Sequence, residues 1–81
     1  MKSLLEFIIS NILAKNSKFT VEETDDGSIV TLTVKTAEED GGMIIGKQGR
    51  VIKAIRNILR IKATLEKKKI ILLVNPELTQ I

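Results

Sequence analysis

The sequence predicts an α+β domain with three helices packed on one face of a mixed three-stranded sheet, on the strength of three observations. Apolar residues recur at helical intervals in two segments and alternate with polar residues in two others. The 81 residues, 43% of them hydrophobic, suit one small domain and leave no room for a second. The second and last strands are joined through two helices, which favours parallel neighbours.

The first element is an amphipathic helix predicted over residues 3–15. Ser3 and Glu6 have the spacing of a capping box at its start. The apolar residues that line one face are Leu4, Leu5, Ile8, Ile12 and Leu13. The segment is too short to cross a bilayer, so we interpret it as part of the fold and expect no membrane partner.

Two strands joined as a hairpin come next. Residues 25–27, with the sequence DDG, supply the turn chemistry between them. The apolar positions that alternate with polar ones are Phe19, Val21, Val30, Leu32 and Val34. This alternation predicts one buried and one exposed face.

A short helix is predicted over residues 37–45, because Thr36 and Glu39 again have capping-box spacing. Gly41 and Gly42 lie inside it, and each lowers helix stability by about 1 kcal/mol relative to alanine. We therefore expect this helix to be weak, and irregular or mobile at the glycine pair.

A long amphipathic helix is predicted to begin at Gly49 and to end near Ala63. Its apolar face is predicted to hold Val51, Ile52, Ile55, Ile58 and Leu59. The opposite, cationic stripe holds Arg50, Lys53, Arg56, Asn57 and Arg60.

The last strand is predicted over residues 70–74, an unbroken aliphatic run. Such a run is typical of a strand that is covered on both faces. Residues 77–81 are predicted to be a frayed tail.

Charge is distributed unevenly along the chain. Residues 41–81 hold nine basic and two acidic side chains, whereas residues 1–40 hold four basic and eight acidic ones. The second half is the part that a polyanion would meet, with a merely solvated basic surface as the alternative. Cysteine and histidine are absent, which argues against an enzyme and against a metal or other cofactor. A reducing compartment, the cytoplasm, is the expected location.

The sequence GKQG at residues 46–49 joins the two last helices and matches part of a nucleotide-binding P-loop. The match fails at Gln48, where that motif needs Ser or Thr to hold magnesium. It also lacks the preceding buried strand of an α/β sheet. A plain turn, in which glycine supplies left-handed dihedral angles and nothing binds, is the second alternative.

Phosphate contact is the third interpretation of the same loop. The first N–H groups of the following helix are expected to lack intrahelical acceptors and to share the positive end of its dipole. Glycine allows a phosphodiester backbone to approach them, and Lys47, Arg50 and Lys53 lie nearby in the sequence.

The stretch MIIGKQGRVIKAIR resembles the KH-domain signature I-G-x-x-G-x-x-I, with Gly46, Gly49 and Ile52 in register. The predicted element order is that of the type II, prokaryotic KH fold. The resemblance covers nearly the whole chain and is strongest to the small bacterial single-KH proteins of the KhpA (YlqC) family. It implies one non-catalytic KH domain over residues 1–81 that binds single-stranded RNA, with single-stranded DNA left open.

The resemblance also implies the contacts and the role. Gly46, Lys47, Gln48 and Gly49 would clamp the backbone of about four nucleotides. The other expected contacts, in an aliphatic groove and on the basic helix, are Ile44, Ile45, Arg50, Ile52, Lys53 and Arg56. The family implies an RNA chaperone or post-transcriptional regulator that forms a homodimer or pairs with a larger KH-containing protein.

Two features bear on this hypothesis. The aromatic residues are Phe7 and Phe19, both at core-pattern positions, and an aliphatic groove needs no aromatic platform. Gly41 departs from the small relatives, which usually have an apolar residue there, so the exact shape of the groove stays open. The alternative function is a protein-interaction module that uses the basic helix and has a vestigial G-x-x-G loop.

Overall fold

The computed structural model describes residues 1–76 and confirms the predicted α+β fold. Its elements are α1 (Lys2–Ser10), β1 (Phe19–Asp25), β2 (Ile29–Thr36), α2 (Glu38–Ile45), a 3₁₀ turn (Lys47–Gly49), α3 (Arg50–Leu65) and β3 (Lys69–Val74). The tail predicted at residues 77–81 lies outside the described residues.

The sheet has the order β1-β2-β3, with β1 antiparallel and β3 parallel to β2. Because the crossover from β2 to β3 runs through α2 and α3, the helices lie on one face. The inward side chains of the sheet meet those of α1, α2 and α3 in one core. Its fully buried larger side chains are Leu5, Ile9, Leu32, Val34, Ile44 and Leu59.

The hairpin turn is held by its two aspartates. The Asp25 carboxylate accepts a hydrogen bond from Gly27 N–H at 2.8 Å, and the Asp26 carboxylate accepts from Ser28 and Ile29 at 2.9 and 2.7 Å. The side-chain hydrogen bond from Lys68 is the largest cause that lowers the pKa of Asp25, and the bond from Gly27 N–H lowers it further. The bonds from Ile29 and Ser28 lower the pKa of Asp26.

The last strand does not have two covered faces. β3 is an edge strand, and Ile71 and Leu73 remain 44% and 39% exposed on the face that no helix of residues 1–76 covers. Leu72 and Val74 point into the core. The aliphatic run thus forms a strand that is buried on one face. Periodicity cannot distinguish such a strand from one buried on both faces when every residue is apolar.

Helix α1 is shorter than predicted and begins differently. It starts at Lys2, and Ser3 makes no capping bond. The Lys2 N–H instead donates to Glu23 of β1 at 3.0 Å. The helix ends at Ser10, whose hydroxyl, like the Asn11 amide, donates to a carbonyl of the preceding turn. Phe7 is 68% exposed, against its predicted place in the core.

Helix α2 is a regular helix despite its glycine pair. Ala37 is its N-cap and Thr36 makes no capping bond to the helix, so the predicted capping box does not form. Acidic residues fill the first turn, where they suit the helix dipole. Gly41 is buried, and a Cβ there would lie 2.5 Å from Asn75 Nδ2. The glycine is therefore required by close packing, and the expected irregularity is absent.

Helix α3 buries a narrower face than predicted. Ile55, Leu59 and Ala63, four residues apart, enter the core, whereas Ile58 is 47% exposed. Ile58 belongs to a second set of exposed apolar side chains along the helix. This set, called the apolar stripe below, consists of Ala54, Ile58, Ile61 and Leu65.

Candidate nucleic-acid interface

The GKQG loop lies where α2 ends and α3 begins, as the sequence predicts. The side chains of Lys47 and Gln48 are exposed, and Gly46 and Gly49 are half-buried. Within residues 1–76, Lys47 forms no ion pair. The loop therefore presents a cation and an amide to whatever approaches it.

Both glycines of the loop are required by backbone conformation. Gly46 has φ 77° and ψ 174°, and Gly49 has φ 74°. A Cβ on Gly46 would lie 2.3 Å from Val51 Cγ2. Gln48 adopts φ 58°, which is unfavourable for a residue with a side chain. The chain thus folds back through three residues with positive φ, and α3 packs directly against the first of them.

The N–H groups available to a ligand differ from those expected. The first amide of α3, at Arg50, donates to the Lys47 carbonyl, so it is already paired. Gly49 N–H donates to Gly46 O at 3.1 Å, and this is the first bond of the 3₁₀ turn. The N–H groups of Lys47 and Gln48 precede that bond and have no acceptor within the turn. These free donors therefore lie in the loop, one to two residues before the predicted start of the helix.

The charges at the start of α3 oppose the helix dipole. Its first turn contains no acidic residue, and Arg50 and Lys53 lie exposed there. Cations near a helix N-terminus are unfavourable, because the free N–H groups already carry partial positive charge. A bound anion would relieve this repulsion, so the arrangement suits a phosphate ligand.

One side of α3 continues the positive charge away from the loop. Lys53, Arg56 and Arg60 recur at three- and four-residue spacing, which places them on one side of the helix. Arg60 lines a cavity together with Lys69 and Ile70 at the start of β3. Arg60, the last residue of this row, therefore lies across a groove from the beginning of the edge strand.

The edge of β3 offers backbone groups to the same groove. Lys69 N–H donates to Ser28 O, just before β2, at 2.9 Å, and Asn75 N–H donates to Val34 O of β2 at 2.8 Å. Since the backbone groups of successive strand residues point to opposite sides, those of Ile70 and Leu72 point away from β2. The contacts predicted from the sequence do not include these two residues, because the sequence alone does not give the register of β3.

The three isoleucines proposed for the groove have different positions. Ile44 is 1% exposed and belongs to the core. Ile45 is 37% exposed, and Ile52 is half-buried against the core. Two of the three therefore offer accessible apolar surface near the loop.

The structure does not have the geometry of a P-loop. Gly41 to Ile45 are helical, where that motif needs a flexible phosphate-binding loop after a strand. In the described part of the chain, no three His, Cys, Asp or Glu side chains come together as a metal site. No helix among these residues is long and apolar enough to span a membrane.

Comparison with known proteins connects this geometry to a family. The profile of the KhpA/KhpB KH domain matches residues 2–74. RNA-binding protein KhpA from Clostridium acetobutylicum is 38% identical over 71 residues, which covers 88% of this chain and 95% of that protein. The Clostridium perfringens protein of that name gives the same values, and that of Halalkalibacterium halodurans is 35% identical over 70 residues, 86% of this chain and 92% of its own. No solved structure matches significantly.

Proposed function

This chain belongs to the KhpA/KhpB family of KH domains, and from that membership we propose that it clamps single-stranded RNA with its GKQG loop. The observation that carries the proposal is the pair of N–H groups at Lys47 and Gln48, which have no acceptor within their turn. Left-handed turns gather successive N–H groups into a concavity that binds anions. Phosphates of an RNA backbone satisfy both donors.

The neighbouring charges and apolar surface complete the proposed site. Arg50, Lys53 and Arg56 supply positive charge along α3 for further phosphates. Ile45 and Ile52 give the bases an aliphatic wall, and the outward backbone of β3 gives them hydrogen-bond partners. Ile44 is left out of this contact set because its side chain is buried.

The role proposed for the chain is binding without catalysis. It contains no histidine or cysteine, and its loop holds phosphates by backbone groups that perform no proton transfer. We assign it to RNA chaperoning or post-transcriptional regulation in the cytoplasm, as a single domain spanning residues 1–81. Few side chains near the loop read base edges, so we expect loose sequence preference.

The decisive experiment replaces Lys47 and Gln48 with aspartate while both glycines are kept. The variant should lose RNA binding in a filter assay, because two carboxylates repel the phosphate at the clamp. Its circular dichroism spectrum should be unchanged, because both side chains are exposed. Unchanged RNA affinity would favour the alternative, a protein-interaction module with a vestigial loop.

The dimer implied by the family needs a surface, for which we select the apolar stripe on α3. Ile61 and Leu65 are 65% and 80% exposed, in line with Ile58. Such a row packs against the same row of a second copy, which adds buried apolar area to a small core. Ile61→Glu should turn a dimer into a monomer in sedimentation experiments. A wild-type monomer at micromolar concentration would remove this assignment.

A further inference from the structure

A second cluster of basic side chains lies where α3 ends and β3 begins, at the opposite end of the helix from the GKQG loop. Two cavities meet there, of about 350 Å³ and about 470 Å³. Thr64, Lys68 and Lys69 line both. Arg60 lines the smaller cavity and Lys67 the larger. We call these five residues the distal cluster.

Most of the charge in the distal cluster is unpaired. Arg60, Lys67 and Lys69 are exposed, and none of them forms an ion pair within the described chain. Lys68 is paired with Asp25 of the hairpin, which fixes the α3–β3 connection against the turn of β1 and β2. The ion pair holds the cluster in place, and the other three cations remain available to an anion.

The connection itself places Lys67 in an unusual position. Lys68 N–H donates to Ala63 O at 2.8 Å and Lys67 N–H to Thr64 O at 3.0 Å, the two bonds of a Schellman motif. The left-handed residue of that motif is usually glycine, but here it is Lys67 with φ 59°. The chain therefore has a lysine where backbone conformation favours a residue without a side chain.

The basic side of α3 connects this cluster to the loop. The helix has 16 residues, which span about 24 Å. Lys53, Arg56 and Arg60 form a row along one side of it, and Arg60, the last of them, lines the cavity at the start of β3. A strand clamped at the loop and following this row arrives at the distal cluster.

We propose that the distal cluster is a second phosphate-contact site, which extends the bound RNA strand beyond the nucleotides held at the GKQG loop. The proposal rests on the proposed function of that loop. The ligand is a phosphodiester backbone, and Arg60 and Lys69 are its principal contacts because they flank the cavity that opens onto the groove. A strand too short to leave the loop gains nothing from the cluster.

The test compares RNA oligonucleotides of about four and about ten nucleotides, the shorter matched to one KH clamp. Arg60→Glu and Lys69→Glu should weaken binding of the longer RNA by about tenfold and reduce its salt slope by about 0.7 per lost phosphate contact. Binding of the shorter RNA, followed by NMR titration, should stay within about twofold. Lys62→Glu is the matched control, since Lys62 is an exposed cation on the same helix but turned about 160° from Arg60.

The outcomes separate this proposal from that of the clamp. Equal losses for both RNA lengths, or no loss for either, would overturn the distal site. A loss for Lys62→Glu as large as that for Arg60→Glu would overturn it as well, because net charge alone would then explain the effect. The proposal that the GKQG loop clamps RNA has a separate test. It would be wrong if the double aspartate variant at Lys47 and Gln48 still bound the shorter RNA.

Discussion

Gly41 and Asn75 are in contact, so the effect of Gly41→Ala on the free energy of unfolding should change sign when Asn75 is also replaced. Alanine in place of a helical glycine normally stabilises by about 1 kcal/mol. At Gly41 the new Cβ would lie 2.5 Å from Asn75 Nδ2, so the amide must move. It would lose the bond that it accepts from Thr36 N–H at 2.8 Å and the one that it donates to Thr36 Oγ1 at 3.2 Å.

The expected magnitude follows from these bonds. Each contributes about 0.5 to 1.5 kcal/mol, so Gly41→Ala should destabilise the wild-type chain by about 0 to 2 kcal/mol after the gain in helix propensity. With Asn75→Gly already present, a change that its φ of 45° tolerates, Gly41→Ala should stabilise by about 1 kcal/mol. The coupling between the two sites is then about 1 to 3 kcal/mol.

Urea unfolding of the four variants measures this coupling. Far-UV circular dichroism is the appropriate signal, because the chain contains no tryptophan or tyrosine. Gly42→Ala is the matched control, since a Cβ at Gly42 meets no atom within 4 Å. It should stabilise by about 1 kcal/mol whichever residue stands at position 75. If Gly41→Ala behaved like Gly42→Ala in both backgrounds, the packing explanation for Gly41 would be wrong.

Three further predictions concern the loop, α3 and the hairpin. Arg50→Glu should raise the free energy of unfolding by about 0.6 to 2 kcal/mol, because an anion replaces a cation at the start of a helix. The same variant should bind RNA more weakly. A loss of both stability and RNA affinity would contradict this prediction. Gly46→Ala should destabilise the fold by at least about 1 to 3 kcal/mol. Gly27→Ala should destabilise it less, because Gly27 also has a positive φ but no atom lies near its new Cβ. Equal effects in urea unfolding would show that the close approach of Val51 to Gly46 does not matter. The pKa of Asp26 lies below its ordinary 3.8, so its carboxylate stabilises the fold above that pH and loses this effect as the pH falls through the lowered pKa. The Asp26→Asn variant should therefore lose less stability than the wild type between about pH 5 and pH 2. If both proteins lost the same stability over this range, the Asp26 carboxylate would not be a source of the acid sensitivity.

The element order and sheet topology were predictable because they depend on local patterns and chain connectivity. Alternating apolar residues gave β1 and β2, helical spacing gave α3, and the crossover rule gave the parallel pairing of β2 and β3. The unusual backbone conformation of the loop was also predictable, since two glycines beside a basic amphipathic helix indicate residues with positive φ.

The errors arose where distant residues decide a local feature. Ser3 has a good capping sequence, yet Glu23 of β1 satisfies the start of α1 instead. Gly41 looked like a defect of α2 because its partner, Asn75, is remote in sequence and reaches it only in the folded chain. Ile58 was assigned to the core because a helical pattern does not state how wide a face the neighbouring elements cover.

The position of the free N–H groups at the loop could not be predicted from the sequence either. A helix was expected to begin at Gly49, with its own first amides exposed. The intervening 3₁₀ turn pairs the Arg50 amide and moves the free donors to Lys47 and Gln48. This shift depends on the positive φ angles of Gly46, Gln48 and Gly49, which the sequence pattern does not state.

Around α3, the row Lys53, Arg56 and Arg60 and the apolar stripe point in directions about 140° apart. Pairing through the stripe would therefore leave the basic row of each copy open. One transcript could then be held at two points, and its second attachment would occur at an effective concentration in the millimolar range, a gain of about 10² to 10⁴ in avidity without any new contact. Two loops that each bind RNA weakly would together bind it tightly, but only where the RNA is long enough to contact both.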